Sequence, residues 1–180
     1  MTAESFVRPW SGRVVRHIPG PSPFGPLDTR FAGRSRENHW NRAGEPTLYF
    51  AGDRSTLIAE FSRHFDHDRA PELAELVQTR RVVEFEITLS RLFDLTDPAA
   101  VTALGIEGAP GCFSDRTIAR ATAGFLRDVF EVEALLAPAS ITTGQTEHRL
   151  LVLFLDRLQQ PLSEIARSVT QSGSFQLKTG

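Results

Sequence analysis

The order of apolar and polar residues along this chain predicts short strands that interleave irregularly with helices. Alternation is clearest over 81–89, where one face carries Val83, Phe85, Ile87 and Leu89 and the other is polar, as in a half-buried strand. Shorter apolar segments predict strands at 13–18, 47–51, 133–137 and 149–156, and a last one near Phe175. The strand over 149–156 is nearly continuous in apolar residues, so we expect it at the centre of a sheet.

Helical spacing of apolar residues predicts helices between these strands. One begins near Ser55, a second covers 71–79, and a short one runs from Asp97 to Gly105. A longer helix begins at Ser114 or Asp115 and ends near Phe130. Its inward face is expected at Ile118, Ala121, Phe125 and Val129, and a further turn is expected around Ile165. Because several strands are close enough for antiparallel pairing, we predict an α+β fold in a single domain over 1–180.

The composition limits the classes of function. With 41% hydrophobic and 23% charged residues in 180, the chain has material for a folded core. A net charge of −2 provides no global field to attract nucleic acid or anionic lipid. Cys112 is the only cysteine, which excludes an intramolecular disulfide and favours a cytoplasmic location. The longest apolar segment, 150–155, is far shorter than the roughly 20 residues that span a bilayer.

The most specific chemistry lies between Arg30 and Glu60. Four arginines fall within 30–42, Tyr49 is the only tyrosine, and Glu60 follows it by eleven residues at the border of a helical apolar stripe. These residues combine cationic donors for a pyrophosphate, an aromatic face for a flat heterocycle, and a carboxylate for a sugar that becomes positively charged. The combination indicates cleavage of NAD at the nicotinamide–ribose bond.

Each residue type matches one need of that reaction. Breaking the bond builds oxocarbenium character at the anomeric carbon, as in glycoside cleavage, and Glu60 is expected to hold the ribose and stabilise that charge. Tyr49 is expected to stack on nicotinamide. The pyrophosphate is expected to be bound by one of two pairs, Arg34 with Arg36 or Arg16 with Arg30. No metal is required, and the segment 64–68 (His-Phe-Asp-His-Asp) is interpreted as surface.

The run from His39 to Ala51, followed by Glu60, resembles the signature of the RES domain family, the toxins of RES–Xre toxin–antitoxin systems. That signature has Trp-Asn, then Gly-x-Pro-x-Leu-Tyr-x-Ala, then a glutamate eleven residues after the tyrosine. This chain has Trp40-Asn41, the segment 44–51 (Gly-Glu-Pro-Thr-Leu-Tyr-Phe-Ala) and Glu60. A later part of the signature resembles Ala137-Pro138-Ala139-Ser140 followed by the strand 151–154. The resemblance is strongest over 13–156.

The resemblance implies a fold similar to ADP-ribosyltransferase toxins and an activity on NAD, with water, phosphate or a protein side chain as acceptor. It implies catalytic roles for Tyr49, Glu60 and Ser140, of which Ser140 would orient the carboxamide or ribose. It also implies an Xre-type antitoxin partner and a homodimeric toxin core. The family has an arginine immediately before Trp-Asn, where this chain has His39. Either His39 takes over as donor and binds phosphate more weakly than a guanidinium would, or Arg34 is the equivalent of the family arginine at a displaced position.

Two other hypotheses remain open from the sequence. The segment Arg30–Arg42 interleaves cations with rings, which is typical of a module that stacks on single-stranded nucleic acid. Alternatively, His39 marks a family relative that no longer cleaves NAD and acts only through its partner.

Overall fold

The computed structural model describes residues 2–20, 22–36, 38–62, 78–139 and 148–177. Six strands lie within this part of the chain: β1 (Arg8–Pro19), β2 (Thr47–Ala51), β3 (Gln78–Asp94), β4 (Ala134–Pro138), β5 (Arg149–Phe154) and β6 (Ala166–Leu177). The α-helices described are α1 (Arg54–Ser62), α2 (Pro98–Leu104), α3 (Arg116–Val129) and α4 (Leu162–Ile165). Short 3-10 helices cover Ala3–Phe6 and Gly111–Ser114.

The strands form one sheet in the order β1-β2-β5-β4-β3-β6, and β1 also pairs with β3, so the sheet closes on itself. All of the pairs are antiparallel except β3 with β4. This confirms the predicted α+β class and its largely antiparallel sheet. Strand β5 lies between β2 and β4, which confirms its central position. Both edges of β5 are paired, and its apolar side chains are buried on both faces of the sheet.

Successive residues of β5 point to opposite faces of the sheet and supply two separate apolar clusters. Val152 and Phe154 belong to a cluster with Trp40. Leu151 and Leu153 belong to the other, on the far side of the strand. Helix α3 covers the first cluster, where Leu126 is fully buried. The sheet therefore has apolar packing on both faces, and the loops at its edges are left to form a site.

The inward face predicted for the helix at 116–129 is wrong. Ile118, Phe125 and Val129 are exposed, by 37%, 46% and 59% respectively, and Ala121 is exposed too. The buried face instead consists of smaller residues: Ala119, Thr122, Ala123 and Leu126. Small side chains bring the helix axis close to the sheet, and the pattern of large apolar residues that marks an inward face in most helices therefore points the wrong way here.

The ends of the helices follow local chemistry. Asp97 caps α2 through the amide of Ala99, and Gly105 ends it in the left-handed conformation, as predicted. Asp115, one of two predicted caps, caps α3 through the amide of Thr117. Helix α1 was predicted to begin near Ser55. The amide of Thr56 donates to Asp53 Oδ1, so Asp53 caps the start of the helix. Of the helix predicted over 71–79, residues 71–77 lie outside the described residues, and the prediction is wrong for 78–79, which begin β3. None of the helices described has the length and apolar character needed to cross a membrane.

Candidate functional site

A cavity of about 310 Å³ opens beside β2, and four of the predicted site residues line it: Arg16, His39, Tyr49 and Glu60. Its wall is formed by β1 and β2, by helix α1, and by the loop that joins β1 to β2. A volume of this size is within the range of small-molecule sites. Residues separated by up to 44 positions in the sequence thus face one space.

Tyr49 is the middle residue of β2 and is half-buried between buried neighbours. Its hydroxyl donates a hydrogen bond to Asn41 Oδ1 over 2.7 Å and accepts one from the backbone amide of Trp40 over 3.1 Å. Burial raises the pKa of Tyr49 well above its usual value, so the phenol is neutral at any physiological pH. The hydroxyl thus holds the segment before β2, while the ring contributes to the cavity wall.

Asn41 does not line the cavity but supports the loop that does, a role not predicted from the sequence. It is 1% exposed, and its amide nitrogen donates to the carbonyl of Arg42 over 2.7 Å. The same nitrogen lies 3.4 Å from the carbonyls of Gly33 and Glu45, on the two sides of the loop. Asn41 therefore joins Tyr49 to both halves of the loop. The sequence signal was its place beside Trp40 in a motif that ends on the tyrosine.

Glu60 lies on α1 with Leu57 and Phe61, and all three line the cavity. The carboxylate is half-buried, in agreement with its predicted position at the edge of the apolar stripe. The helix is fixed at its start by Asp53. Burial opposes the charge on that carboxylate, but hydrogen bonds from Ser55 and Thr56 hold the pKa of Asp53 below its usual value. A rigid first turn sets where Glu60, two turns later, faces the cavity.

Arg16 is the arginine that lines the cavity among the described residues. Its Nη1 donates to the carbonyl of Pro26 over 2.7 Å, and its guanidinium carbon lies 5.8 Å from the centroid of the Phe50 ring. Burial lowers the pKa of Arg16 to about 10, against a smaller opposing effect from Asp28. Arg16 is still cationic at neutral pH. A half-buried cation at the wall of a cavity is suited to an anionic ligand, because its charge is weakly screened there.

His39 is buried, and its Nε2 lies 2.5 Å from the carbonyl oxygen of Phe113. A carbonyl only accepts hydrogen bonds, so Nε2 carries the proton and the ring orientation is fixed. His39 also lies edge-on to Trp40, with 5.6 Å between ring centroids. The residue at the position of the family arginine thus lines the cavity as an imidazole with a defined tautomer.

The other arginines considered from the sequence lie elsewhere. Arg34 is exposed, does not line the cavity, and has its guanidinium carbon 5.5 Å from the centroid of the Phe31 ring. Arg36 is exposed, and its carbonyl accepts a hydrogen bond from Arg120. Arg30 forms an ion pair with Asp28 over 2.6 Å. Of the pairs proposed for the pyrophosphate, neither comes together at the cavity, and Arg16 alone of the four faces it.

The basic and aromatic residues of 30–42 do not share one exposed face. Trp40 is 1% exposed and packs on Phe113, and His39 is buried beside it. Phe31 is the only one of these rings that is exposed. A stacking platform for a nucleic-acid strand needs several accessible rings, so this arrangement does not favour the nucleic-acid hypothesis.

Two further predictions fall on parts of the chain that are not described. Ser140 and the segment 64–68 both lie outside the described residues. Within the described ranges, no cluster of three or more histidine, cysteine, aspartate or glutamate residues is arranged to hold a metal ion.

One comparison with known proteins identifies a family, and a second finds a similar fold. The sequence profile of the RES domain matches residues 13–177. The crystal structure of the M. tuberculosis MbcT–MbcA toxin–antitoxin complex contains a similar chain, with a TM-score of 0.68 and 20% sequence identity. The likeness covers 96% of this chain and 87% of that one, and at this identity it supports the fold. No curated protein matches the chain in sequence.

Proposed function

This chain belongs to the RES domain family, and on that premise we propose that it cleaves the nicotinamide–ribose bond of NAD. The observation that carries the proposal is the convergence of Tyr49, Glu60, Arg16 and His39 on one cavity. An aromatic ring, a carboxylate, a buried guanidinium and an imidazole match the nicotinamide, ribose and pyrophosphate parts of this substrate. Resemblance to the family signature supports these roles for Tyr49 and Glu60.

In this mechanism the bond between the anomeric carbon and the nicotinamide nitrogen breaks with its electron pair going to nicotinamide, which leaves neutral. The ribose carbon acquires oxocarbenium character. Glu60 stabilises that charge from the cavity wall, and the contact becomes stronger in the transition state than in the ground state. An acceptor oxygen then bonds to the carbon and releases its proton to solvent. We propose water, phosphate or a protein side chain as acceptor.

The Tyr49 ring forms the wall against which nicotinamide lies, because its neutral phenol offers a flat face and no charge. Arg16 binds the pyrophosphate, and His39 lines the same cavity with its Nε2–H already donated to the carbonyl of Phe113. In this proposal Arg16 on β1 supplies the guanidinium, and the imidazole of His39 occupies the position where the family has an arginine. Ser140 retains its proposed role of orienting the carboxamide or ribose, by resemblance to the family.

We also propose that the protein acts as a toxin that a cognate Xre-type antitoxin neutralises, with a homodimeric toxin core and a fold like that of ADP-ribosyltransferase toxins. Support comes from the family and from the likeness to a chain of the MbcT–MbcA toxin–antitoxin complex. NAD depletion gives a physical reason for such a partner, since an unrestrained enzyme would exhaust a cofactor on which the cell depends.

The test is incubation of the purified protein with NAD, with and without phosphate, and identification of the products by mass. Free nicotinamide with ADP-ribose would indicate hydrolysis, ADP-ribose 1″-phosphate would indicate phosphorolysis, and a mass added to a protein would indicate transfer. Glu60→Gln keeps the size of the side chain and removes its charge. We expect it to lower turnover by about 100-fold or more while the protein still binds NAD.

Glu107→Gln is the matched control, since Glu107 is an exposed residue outside the cavity. If wild-type protein leaves NAD intact both with and without phosphate and adds no mass to a protein, the proposed reaction is wrong. If it cleaves NAD and Glu60→Gln cleaves it equally fast, the carboxylate does not have the role given to it here.

A further inference from the structure

Phe31 is the most exposed of the large hydrophobic residues in the described part of the chain, with 65% of its surface accessible, and it also lines the cavity. An exposed phenylalanine has no packing role that accounts for it, and single exposed apolar residues are common on protein surfaces. This one differs because it is exposed and also lines the same cavity as Glu60. It therefore presents an apolar ring where a ligand would enter.

The surroundings of Phe31 hold a ring and two cations. The Phe24 ring lies 6.3 Å from it between centroids, tilted by 56°. The guanidinium of Arg34 lies 5.5 Å from the Phe31 centroid, and that of Arg30 lies 3.7 Å from the Phe24 centroid. Arg30 is neutralised by Asp28, whereas no ion pair involves Arg34 in the described residues. The result is an apolar face with one uncompensated cation beside it.

The turn that carries Phe31 is held in place. Gly33 has a φ of +70°, and a Cβ there would lie 1.7 Å from the carbonyl oxygen of Glu45. The backbone of Gly33 also accepts a hydrogen bond from the amide of Gly44 over 3.0 Å, and the amide of Arg34 bonds back to the carbonyl of Phe31 over 3.3 Å. Only glycine allows this close approach of two backbone segments. The ring is thus presented by an anchored turn, and a ligand would not have to order it.

We propose that Phe31, with the Arg34 guanidinium beside its ring, is the stacking platform for the adenine of the dinucleotide. This inference rests on the proposed function and adds to it a position for the far half of the substrate. Tyr49 and Glu60 serve the nicotinamide–ribose end, Arg16 serves the pyrophosphate, and Phe31 serves the purine. A base stacks on an aromatic face through its π surface, so the platform requires a ring at position 31 and tolerates different rings.

The test compares ligands with and without the adenosine part. Binding of ADP-ribose and of nicotinamide mononucleotide is measured by titration calorimetry, and cleavage of NAD and of nicotinamide mononucleotide is measured in parallel. Phe31→Ala should weaken ADP-ribose binding and raise KM for NAD by about tenfold or more, the loss expected for one base–aromatic stack. The same variant should change nicotinamide mononucleotide binding and turnover by less than about twofold.

Two more variants separate stacking from other effects. Phe31→Trp keeps a ring and should retain ADP-ribose affinity within about threefold, whereas Phe31→Leu keeps apolar area without a π face and should behave like Phe31→Ala. Phe125→Ala is the control, because Phe125 is 46% exposed on α3 and does not line the cavity.

The outcomes distinguish this inference from the proposed function. Equal losses for ADP-ribose and nicotinamide mononucleotide in Phe31→Ala, or no loss for ADP-ribose, would overturn the platform while NAD cleavage by the wild type still supports the enzyme. Phe31-dependent ADP-ribose binding without NAD cleavage would support the platform and overturn the reaction. A wild type that binds neither ligand would overturn both.

Discussion

The hydroxyl of Tyr49 donates to Asn41 Oδ1 over 2.7 Å, so the residue expected to contact the substrate also fastens the loop that carries His39. The same oxygen accepts from the amide of Trp40, so both bonds hold the two residues that directly follow His39. The ring and the hydroxyl of Tyr49 thus have different tasks. Substitutions that remove one at a time separate them.

Tyr49→Phe keeps the ring and removes both hydrogen bonds of the hydroxyl. We expect the free energy of unfolding to fall by about 1–3 kcal/mol, because Asn41 Oδ1 and the Trp40 amide lose a buried partner. NAD cleavage should fall less than in Tyr49→Ala, which also removes the stacking face. Chemical denaturation and initial rates provide the two measurements. In a cycle with Asn41→Ala the stability losses should be less than additive, and full additivity would mean that the two side chains do not act together.

Arg16→Met tests the cation at the cavity wall. Its burial, which lowers the pKa of the guanidinium, shows that the charge is partly desolvated, so removing it should change stability by no more than about 1 kcal/mol. NAD binding should weaken by about tenfold or more, since a charge-assisted contact to the pyrophosphate is lost. Arg42→Met is the control, because Arg42 is exposed and does not line the cavity. Equal affinities of the two variants for NAD would exclude Arg16 as the pyrophosphate ligand.

Gly33→Ala and Gly44→Ala separate a steric clash from backbone strain. Both glycines have positive φ, +70° and +96°, but an added Cβ meets the Glu45 carbonyl only at Gly33, and nothing within 4 Å at Gly44. We expect Gly44→Ala to cost about 1–2 kcal/mol and Gly33→Ala clearly more. Thermal unfolding of the two proteins measures this. A smaller loss of stability for Gly33→Ala would show that the backbone segments at Gly33 and Glu45 can move apart.

Glu133 supports the fold through a buried carboxylate. It is 1% exposed, and its oxygens accept hydrogen bonds from the amides of Ser90, Arg91 and Gln159 over 2.7, 3.0 and 2.9 Å. Glu133→Gln replaces one acceptor oxygen by an NH2 group that faces amide donors. The free energy of unfolding should fall by about 3 kcal/mol in urea denaturation, against about 0.5 kcal/mol or less for the exposed Glu107→Gln. Similar losses of unfolding free energy in Glu133→Gln and Glu107→Gln would contradict a stabilising role for these hydrogen bonds to Glu133.

The stability of the first turn of α1 should depend on acid pH. The pKa of Asp53 is lower in the folded protein than in the unfolded chain, so its contribution is fully present above the unfolded pKa of about 4 and is lost as pH falls through the folded value. Asp53→Asn removes this titration. The difference in unfolding free energy between wild type and Asp53→Asn should therefore be constant from pH 6 to 8 and shrink below pH 4. If the difference in unfolding free energy did not change with pH, a lowered pKa of Asp53 in the folded protein would be contradicted.

The sequence by itself determined the α+β class, the central strand β5 and the caps of α2 and α3, because alternation and capping are local signals that packing here does not override. The family resemblance also selected Tyr49 and Glu60, which lie eleven positions apart on β2 and on α1 and line one cavity.

Only the tertiary structure decided which arginine faces the cavity. Arg16 precedes the motif and lies on a separate strand, and nothing local distinguishes it from Arg34 or Arg36. The inward face of α3 was decided in the same way, because small residues allow a close approach to the sheet and leave Ile118 and Phe125 outside. Side-chain size predicts burial only when the distance between the packed elements is known, and that distance is a property of the whole fold.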